Sequence, residues 1–346
     1  MSTRPTIRQI AEAAGVSTAV VSAVVNGKEN HRVFVSDNTK NRVQAIIREK
    51  NYVPLRSARS LRSKKTDVIG AIFNSLNPYY AELLEAIQRE CLHKRLEVLP
   101  CITNGDARRE VQYLQQMADG RVDGVIICAH SDATPGYIRQ FSKAPFNLRI
   151  VTTNPHQPNV ASVHVDERRA GQLVADHLLQ QDRRRMCYFS GSICAERAES
   201  FLQTIREARL EPLICVGSRY TCTYGDCRTL AAKMLSEQSD VDAVFCHNDE
   251  AAMAMLGAAI DCGRRVPEDL AIIGYDNSRI CQYPRPSLSS IDTNVKAIAR
   301  IAVHKLNSSI NNEDFDELHT TLEPTLIVRA SSVVQSVDGG RFVNDG

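Results

Sequence analysis

Hydrophobic positions near the start of the chain repeat with the period of a short helix. In the segment IRQIAEAA they are spaced i, i+3, i+4 and i+7, which predicts a helix with one buried face. The residues of this face are Ile7, Ile10, Ala11 and Ala14. Thr6 is a suitable N-cap, and Gly15 has the permissive backbone with which helices commonly end. The pattern therefore predicts a first helix between Thr6 and Gly15.

Two further short helices are predicted after a tight turn, the second helix starting at the N-cap Ser17 and the third at the N-cap Ser36. The second helix ends at Gly27, and its inward stripe consists of Val20, Val21, Val24 and Val25. The small residues on its outer side are Thr18, Ala19, Ser22 and Ala23. The third helix would bury Val43, Ile46 and Ile47. Three short helices in this order predict a helix-turn-helix module.

From residue 67 onward, apolar runs typical of strands alternate with amphipathic runs typical of helices. This alternation predicts parallel sheets that are covered by helices on both faces. The units are too many for one small sheet, so we expect two lobes with a break near residue 160. The late helix in VKAIARIAVHKL would return to the first lobe. The predicted fold class is α/β, with a helix-turn-helix head and a two-lobed body.

Charge is distributed unevenly between the head and the body. The formal net charge of the 346 residues is only +2. Residues 1–65 contain 13 Lys and Arg against 4 Asp and Glu, a net of +9, whereas the remainder has 29 against 36, a net of −7. A basic head on an acidic body is typical of a protein whose head contacts a polyanion. We therefore expect double-stranded DNA as the partner of the head.

The apolar segments and the cysteines indicate the cellular compartment of the protein. No stretch approaches the roughly 18 apolar residues of a membrane span, and MSTRPTIRQI lacks the apolar region of a secretory signal. We therefore expect a cytoplasmic protein that joins the nucleoid when it binds DNA. The eleven cysteines, between Cys91 and Cys281, include no C-x-x-C pair. We expect them to be small buried hydrophobes in a reducing compartment rather than redox sensors or metal ligands.

Residues 51–66, NYVPLRSARSLRSKKT, form a basic segment with few apolar residues. A short basic helix that packs against no core is not expected to be stable alone. We expect it to order against DNA, with Leu61 as an apolar wedge in the minor groove and Arg62 beside it. In the free protein the alternative is a flexible basic linker.

The sequence resembles the LacI/GalR family of bacterial transcription regulators. The matching pieces include TIRQIAEAAGVS, VVNG, NYVP and ARSLR, and the similarity continues in order and spacing to about residue 330. It implies a palindromic operator bound by a homodimer, with the second helix in the major groove and the hinge helices in the minor groove. The domains it implies are a DNA-binding head (1–50), a hinge (51–66), a periplasmic-binding-protein-like effector and dimerisation domain (67–332) and a polar tail (333–346).

The residues that would contact DNA lie on the second helix and on the hinge. Family members usually carry a long polar side chain where Ala23 stands, and often a polar one in place of Ala19. Thr18 can hydrogen-bond a base edge and the two alanines can touch thymine methyls, but none of them offers a bidentate guanine contact. Affinity would then depend on phosphate contacts and on bending of the DNA. The residues expected at phosphates or in the hinge are Thr6, Ser17, Ser22, Asn26, Arg56, Arg59, Leu61 and Arg62.

Polar residues follow several predicted strands of the body, where ligands of parallel sheets bind. These candidates for an effector site are Asn74, Asn77, Tyr79, Tyr80, Asn154, Arg197, Asn248 and Asp276. The resemblance implies that Arg197, Asn248 and Asp276 hydrogen-bond the ligand and that one of the two tyrosines stacks on it. The alternative for Asn248 and Asp276 is a structural cap of the helix or turn that follows each strand.

Departures from the family pattern bear on the chemical class of the effector. Asn154 stands where the family usually has an aspartate, and Thr293 where it usually has a glutamine. The loop GSICAER is short compared with that of purine-binding relatives. A cleft with several amides and few charges favours a neutral sugar or polyol over a phosphate, and a nucleoside or purine is the alternative.

Enzymatic functions lack their motifs in this sequence. It contains no Gly-rich phosphate cradle of the G-x-x-x-x-G-K-[ST] or G-x-G-x-x-G type and no G-x-S-x-G elbow, so we expect neither catalysis nor a cofactor. The sequence therefore predicts a dimeric repressor that a small molecule controls. The alternative is a cytoplasmic sugar-binding protein with a weakened DNA-binding head, which Ala19 and Ala23 favour mildly.

Overall fold

The computed structural model describes residues 5–26, 35–52, 65–128, 133–153, 159–190, 195–217, 224–315 and 317–334. The chain divides into two units, the head (residues 1–66) and the body (residues 67–346). The predicted α/β class is confirmed.

Side-chain caps set the ends of the three head helices, α1 (Ile7–Ala14), α2 (Thr18–Asn26) and α3 (Asp37–Glu49). The Thr6 Oγ1 atom accepts the N–H of Gln9 at 3.4 Å, and the Gln9 side chain accepts the N–H of Thr6 at 2.8 Å, which completes a capping box. Gly15 ends α1 in the left-handed conformation with φ 62°. Ser17 and Ser36 accept hydrogen bonds from the starts of α2 and α3, as their positions predict.

The core of the head is narrower than the sequence pattern predicts. Its buried residues are Ile10, Ala11, Ala14, Val21 and Val43. Val20 is half-buried and lies outside this cluster, so its assignment to the inward stripe is wrong. Ile46 and Ile47 pack against the cluster but are only partly buried. Short helices of this length bury only a narrow stripe, because neighbouring positions on a helix point about 100° apart.

The body alternates strands and helices along most of its length. The chain first forms β1 (Val68–Phe73), α4 (Pro78–His93), β2 (Glu97–Ile102), α5 (Ala107–Gln116), β3 (Gly124–Ile127), α6 (Thr134–Phe141), β4 (Ile150–Thr152) and β5 (Ala161–Val165). It continues with α7 (Glu167–Gln180), β6 (Met186–Ser190), α8 (Ala195–Glu207), β7 (Leu213–Val216), α9 (Tyr224–Glu237), β8 (Ala243–Cys246), α10 (Asp249–Asp261), β9 (Ala271–Asp276) and β10 (Ser289–Asp292). The last elements are α11 (Val295–Asn311), β11 (His319–Leu322) and β12 (Thr325–Ile327).

These strands form two six-stranded sheets, one in each lobe. The first has the order β11-β5-β4-β3-β1-β2 and the second the order β12-β10-β9-β8-β6-β7. All pairings are parallel except that of β12 with β10. The first crossover lies at Asp166, close to the break predicted near residue 160, because β5 still pairs with β4 in the first sheet. Helix α11 then returns to the first lobe, as predicted, and buries Ile298, Ala302 and Val303 in its core.

Cysteine burial follows the prediction in part. Cys128, Cys187 and Cys246 are buried, and burial raises the pKa of the Cys128 thiol to about 12. Cys101 is only half-buried, because it lies on β2 at the edge of the first sheet. Cys262 is exposed just beyond α10, so the expectation of burial is wrong for it.

Candidate ligand cleft and nucleic-acid interface

The carboxyl ends of strands from both lobes carry polar residues that face one another. Tyr79 lies in the first turn of α4 in the first lobe, whereas Asp276 ends β9 and Glu167 begins α7 in the second. Burial and then the negative charge of Asp276 raise the pKa of Tyr79 well above its ordinary value, and Glu167 adds to the shift. Because charges act over short distances in a buried site, this coupling indicates that Tyr79 of the first lobe lies close to Asp276 and Glu167 of the second.

Arg197 is held on three sides within this cleft. Its Nε atom donates to the Glu167 Oε2 atom at 2.7 Å, and its Nη1 atom donates to the carbonyl of His247 at 2.8 Å. Its Cζ atom lies 3.3 Å from the ring centroid of Tyr275, whose hydroxyl donates to the Glu167 Oε1 atom at 3.0 Å. Glu167 thus binds both the guanidinium and the ring on which it stacks, which fixes the orientation of Arg197.

Burial and neighbouring charges shift the titration of this cluster. Burial and the charge of Asp249 raise the pKa of Asp276 well above its ordinary value, although Arg197 acts in the opposite direction. Burial, assisted by the positive charge of Arg197, lowers the pKa of His247 to about 4. The imidazole of His247 is therefore neutral near pH 7, and Arg197 supplies the positive charge of the cluster.

Asp249 anchors the loop that follows β9. Only 1% of this residue is exposed, and its Oδ2 atom accepts the backbone N–H and the hydroxyl of Ser278, both at 2.7 Å. Its Oδ1 atom accepts the Ser290 hydroxyl at 2.6 Å. Asp276 and Asn277, just before the anchored serine, have positive φ angles of 103° and 50°. The anchor therefore holds Asp276 in a backbone conformation that few L-residues adopt.

A second contact joins the two lobes beside the cleft. Arg279 lies in a 3-10 turn, Arg279–Gln282, after β9 in the second lobe, and its backbone N–H donates to the Glu82 Oε1 atom of α4 at 2.8 Å. Its guanidinium also pairs with Glu85, one helical turn further along α4. These bonds link α4 of the first lobe to the turn that follows β9 in the second.

Three of the predicted amides make local structural contacts. Asn77 caps α4 through a 2.9 Å hydrogen bond from the N–H of Tyr80, and Asn248 caps α10 through a 2.8 Å bond from the N–H of Ala251. The Asn74 Oδ1 atom accepts the Thr103 hydroxyl at 3.3 Å. The structure thus shows the capping role that was the alternative for Asn248. Asn154 lies outside the described residues.

Sequence reasoning missed the residues that organise the cleft. Glu167 and Tyr275 were not among its candidates, and Asp249 was noted beside Asn248 at a strand end without a role of its own. Asp249 directly follows the strand-like run AVFCHN and so carried the strand-end signal used for the other residues, whereas Glu167 follows ASVHV, a segment that the sequence pattern did not mark as a strand. Tyr275 reads as an ordinary residue of a buried strand, and only the tertiary fold places its hydroxyl on Glu167.

The head presents a small, weakly polar helix surface. Thr18 and Ala19 are exposed, whereas Ser22 and Ala23 are half-buried. Asn26 is the last residue of α2. Two further predicted residues, Thr6 and Ser17, lie at the N-terminal ends of α1 and α2, where backbone N–H groups and the helix dipole favour phosphate oxygens. The hinge residues Arg56, Arg59, Leu61 and Arg62 lie outside the described residues.

The described parts of the chain give no support for a metal site or a membrane-spanning helix. No group of three or more His, Cys, Asp or Glu residues there is arranged to hold a metal ion. The same parts contain no helix that is both long enough and apolar enough to cross a membrane.

Two family models match this chain. Residues 6–54 match the model described as bacterial regulatory proteins, lacI family, and residues 175–332 match that of a periplasmic binding protein-like domain. The chain is 30% identical over 336 residues to the HTH-type transcriptional repressor PurR of Mannheimia succiniciproducens, a match that covers 94% of this chain and 98% of that protein. It is 29% identical over 333 residues to the ribose operon repressor of Haemophilus influenzae, with the same coverage of 94% and 98%.

A solved structure gives the same fold. The lac repressor dimer bound to operator and the anti-inducer ONPF has a TM-score of 0.84 and 21% sequence identity to this chain. The match covers 96% of this chain and 100% of the repressor chain. At this level of identity the similarity concerns the fold.

Proposed function

This chain belongs to the LacI/GalR family of bacterial transcription regulators, and from that premise we propose a homodimeric repressor whose operator binding depends on a small molecule held between its two lobes. Membership of the family makes the chain a DNA-binding transcriptional repressor. Beyond this, we propose that the protein acts as a dimer on a palindromic operator, through the contact residues and the effector described here.

The observation that carries the effector site is the convergence of Tyr79 from one lobe with Glu167 and Asp276 from the other. Side chains of both lobes then share one ligand, so its binding favours a particular arrangement of the lobes. The contacts of Arg279 with Glu82 and Glu85 belong to one such arrangement. We propose that the ligand shifts this equilibrium and thereby changes the order of the hinge segment.

A neutral sugar or polyol is the effector that the cleft favours. Carboxylates and tyrosine hydroxyls accept and donate hydrogen bonds to ligand hydroxyls, and Arg197 already has the counter-charge of Glu167. A purine or nucleoside is the second candidate, because the rings of Tyr79 and Tyr80, with centroids 5.2 Å apart, offer an aromatic surface for a planar base. The purine repressor among the relatives supports this candidate.

Thermal and urea unfolding of the full chain with a panel of sugars, polyols, nucleosides and purines tests the effector site. A ligand at about ten times its Kd should raise the free energy of unfolding by about 1.4 kcal/mol. Asp276→Asn should abolish that gain, because Asp276 lies where the two lobes meet. Asp240→Asn is the matched control, since Asp240 is 65% exposed and pairs with Arg185 on the surface. Stabilisation that survives Asp276→Asn would remove this residue from the site.

Salt-dependent binding to DNA tests the head. Palindromic duplexes selected by the full chain from a random library should bind at least about tenfold more tightly than unselected duplexes of the same length. A head that neutralises about four phosphates should lose about tenfold in affinity when the salt concentration doubles. Equal affinity for selected and unselected duplexes would instead favour the small-molecule binding protein with a weakened head.

A further inference from the structure

We infer that Glu167 is a specificity-determining residue that excludes anionic ligands, so that the effector of this cleft carries no phosphate or carboxylate group. The inference rests on the proposed function, because it concerns the same ligand site. The inference goes beyond the proposed function because it names the residue that selects the charge of the effector.

The positive charge of Arg197, which acts on Asp276, is already compensated by Glu167. Arg197 would be the natural partner of an anionic ligand, because a guanidinium binds phosphate and carboxylate oxygens well. Its Nε atom instead donates to Glu167 at 2.7 Å, and only 8% of the Arg197 side chain is exposed. An anion could engage this edge of the guanidinium only by displacing a carboxylate that Tyr275 also holds.

Two acidic residues, Asp276 and Glu167, lie close to Tyr79. Both Asp276 and Glu167 act on Tyr79, whereas Glu82 is already bound to Arg279 and Asp249 is buried against Ser278 and Ser290. A phosphate entering this space would meet the carboxyl groups of Glu167 and Asp276, of which Glu167 is the carboxylate paired with Arg197 and carries charge of the phosphate's own sign in a partly buried setting, where repulsion is weakly screened. A neutral ligand with hydroxyl groups meets the same carboxyl groups as hydrogen-bond acceptors. The arrangement therefore separates ligands by charge rather than by size.

The change Glu167→Gln removes the charge while it keeps the shape of the side chain. The amide oxygen can still accept a hydrogen bond from Arg197 or Tyr275, so the change tests charge and leaves the local packing in place. Arg197 then lacks the counter-charge of Glu167, so its guanidinium attracts an anion more strongly. We expect the Kd for inorganic phosphate to fall by about tenfold or more relative to the unchanged protein.

Phosphate is titrated against the full chain at constant ionic strength, with chloride as the balancing anion, and binding is followed by calorimetry and by thermal unfolding. The matched control is Glu199→Gln, which removes the same charge from α8 at a side chain that is 66% exposed and lies 3.9 Å from Arg168. This control should leave the phosphate affinity unchanged. The double change of Glu167→Gln with Arg197→Gln should lose the gain, which would locate the bound phosphate at Arg197.

Several results would overturn the inference. One is a phosphate affinity of Glu167→Gln no higher than that of the unchanged protein, and another is an equal gain in Glu199→Gln. Tight phosphate binding by the unchanged protein would overturn it without any variant, so the test does not depend on the folding of Glu167→Gln. Operator binding, measured on the same samples, separates this outcome from the proposed function. If the protein binds its operator specifically but Glu167→Gln gains no affinity for phosphate, the proposed function stands and the inference fails.

Discussion

Asp249→Ala is expected to lower the free energy of unfolding of the body by about 4 kcal/mol. The carboxylate of Asp249 is buried and accepts three hydrogen bonds, from the backbone N–H and hydroxyl of Ser278 and from the hydroxyl of Ser290. Alanine would leave these three donors without their acceptor in the interior of the second lobe. Urea unfolding monitored by circular dichroism measures the loss.

Asp249→Asn is the matched control for this loss. Its amide oxygen can still accept from Ser278, and its amide group can donate to the Ser290 oxygen, so the network stays connected without a buried charge. We expect it to retain most of the stability that alanine loses. Equal losses in the two variants would mean that the hydrogen bonds do not supply the stability, and a negligible loss in both would contradict the structural role of Asp249.

Comparison of Asp249→Asn with the unchanged protein is expected to reveal a pH dependence of the free energy of unfolding. Burial raises the pKa of Asp249 to about 6, against an ordinary value near 4 in the unfolded chain, although hydrogen bonds from Ser290 and Ser278 lower it. The folded state therefore holds this proton more tightly, and the stabilisation this gives is present below about pH 4 and is lost as the pH rises to about 6. Asp249→Asn has no carboxyl proton to release. Its free energy of unfolding, relative to that of the unchanged protein, should therefore rise between about pH 4 and about pH 6. A flat difference curve would contradict the shift. Because Asp249 and Asp276 interact, the curve describes the pair rather than one carboxylate.

Local sequence signals predict the parts of this structure that local chemistry controls. Thr6, Ser17 and Ser36 cap the three head helices because each capping bond spans only three residues. The alternation of strands and helices predicts the parallel sheets for a similar reason, since each element carries its own hydrophobic period. The same local chemistry accounts for Asn77 and Asn248, whose position before a helix fits a cap as well as a ligand contact.

Elements that depend on partners distant in the chain are harder to predict. The strands β5, β10, β11 and β12 escaped the sequence pattern, because they are short and contain serine, threonine or histidine among few apolar residues. Their strand conformation depends on pairing within sheets that form from distant segments. The bond between Arg197 and Glu167 is of the same kind, because it joins residues 30 positions apart on two helices. Strand ends therefore indicate where the cleft lies, and the tertiary fold decides which charges are compensated inside it.

Gly171→Ala is expected to lower the free energy of unfolding by about 2 kcal/mol and to weaken effector binding at the same time. A Cβ atom on Gly171 in α7 would lie 2.3 Å from the carbonyl oxygen of Arg197 and 2.9 Å from the backbone nitrogen of Phe201, both in α8. Backbone atoms cannot rotate away, so the helices must separate, at a cost of about 3 kcal/mol for overpacking against a gain of about 1 kcal/mol in helix propensity. Separation of α7 from α8 also moves Glu167 away from Arg197, because each residue lies in the first turn of its helix.

The control for this substitution is Gly136→Ala in α6, where no atom lies within 4 Å of the added Cβ. Without a clash, the lower entropy of the unfolded chain should leave this variant as stable as the unchanged protein, or more stable by up to about 1 kcal/mol. Urea unfolding gives the stability of each variant, and ligand-induced stabilisation reports the cleft. If Gly171→Ala lowered stability while the ligand response stayed intact, the spacing of α7 and α8 would not control the cleft. Loss of both in Gly171→Ala, with neither affected in Gly136→Ala, would support the proposal that the close approach of the two helices at Gly171 positions Glu167 and Arg197 for ligand binding.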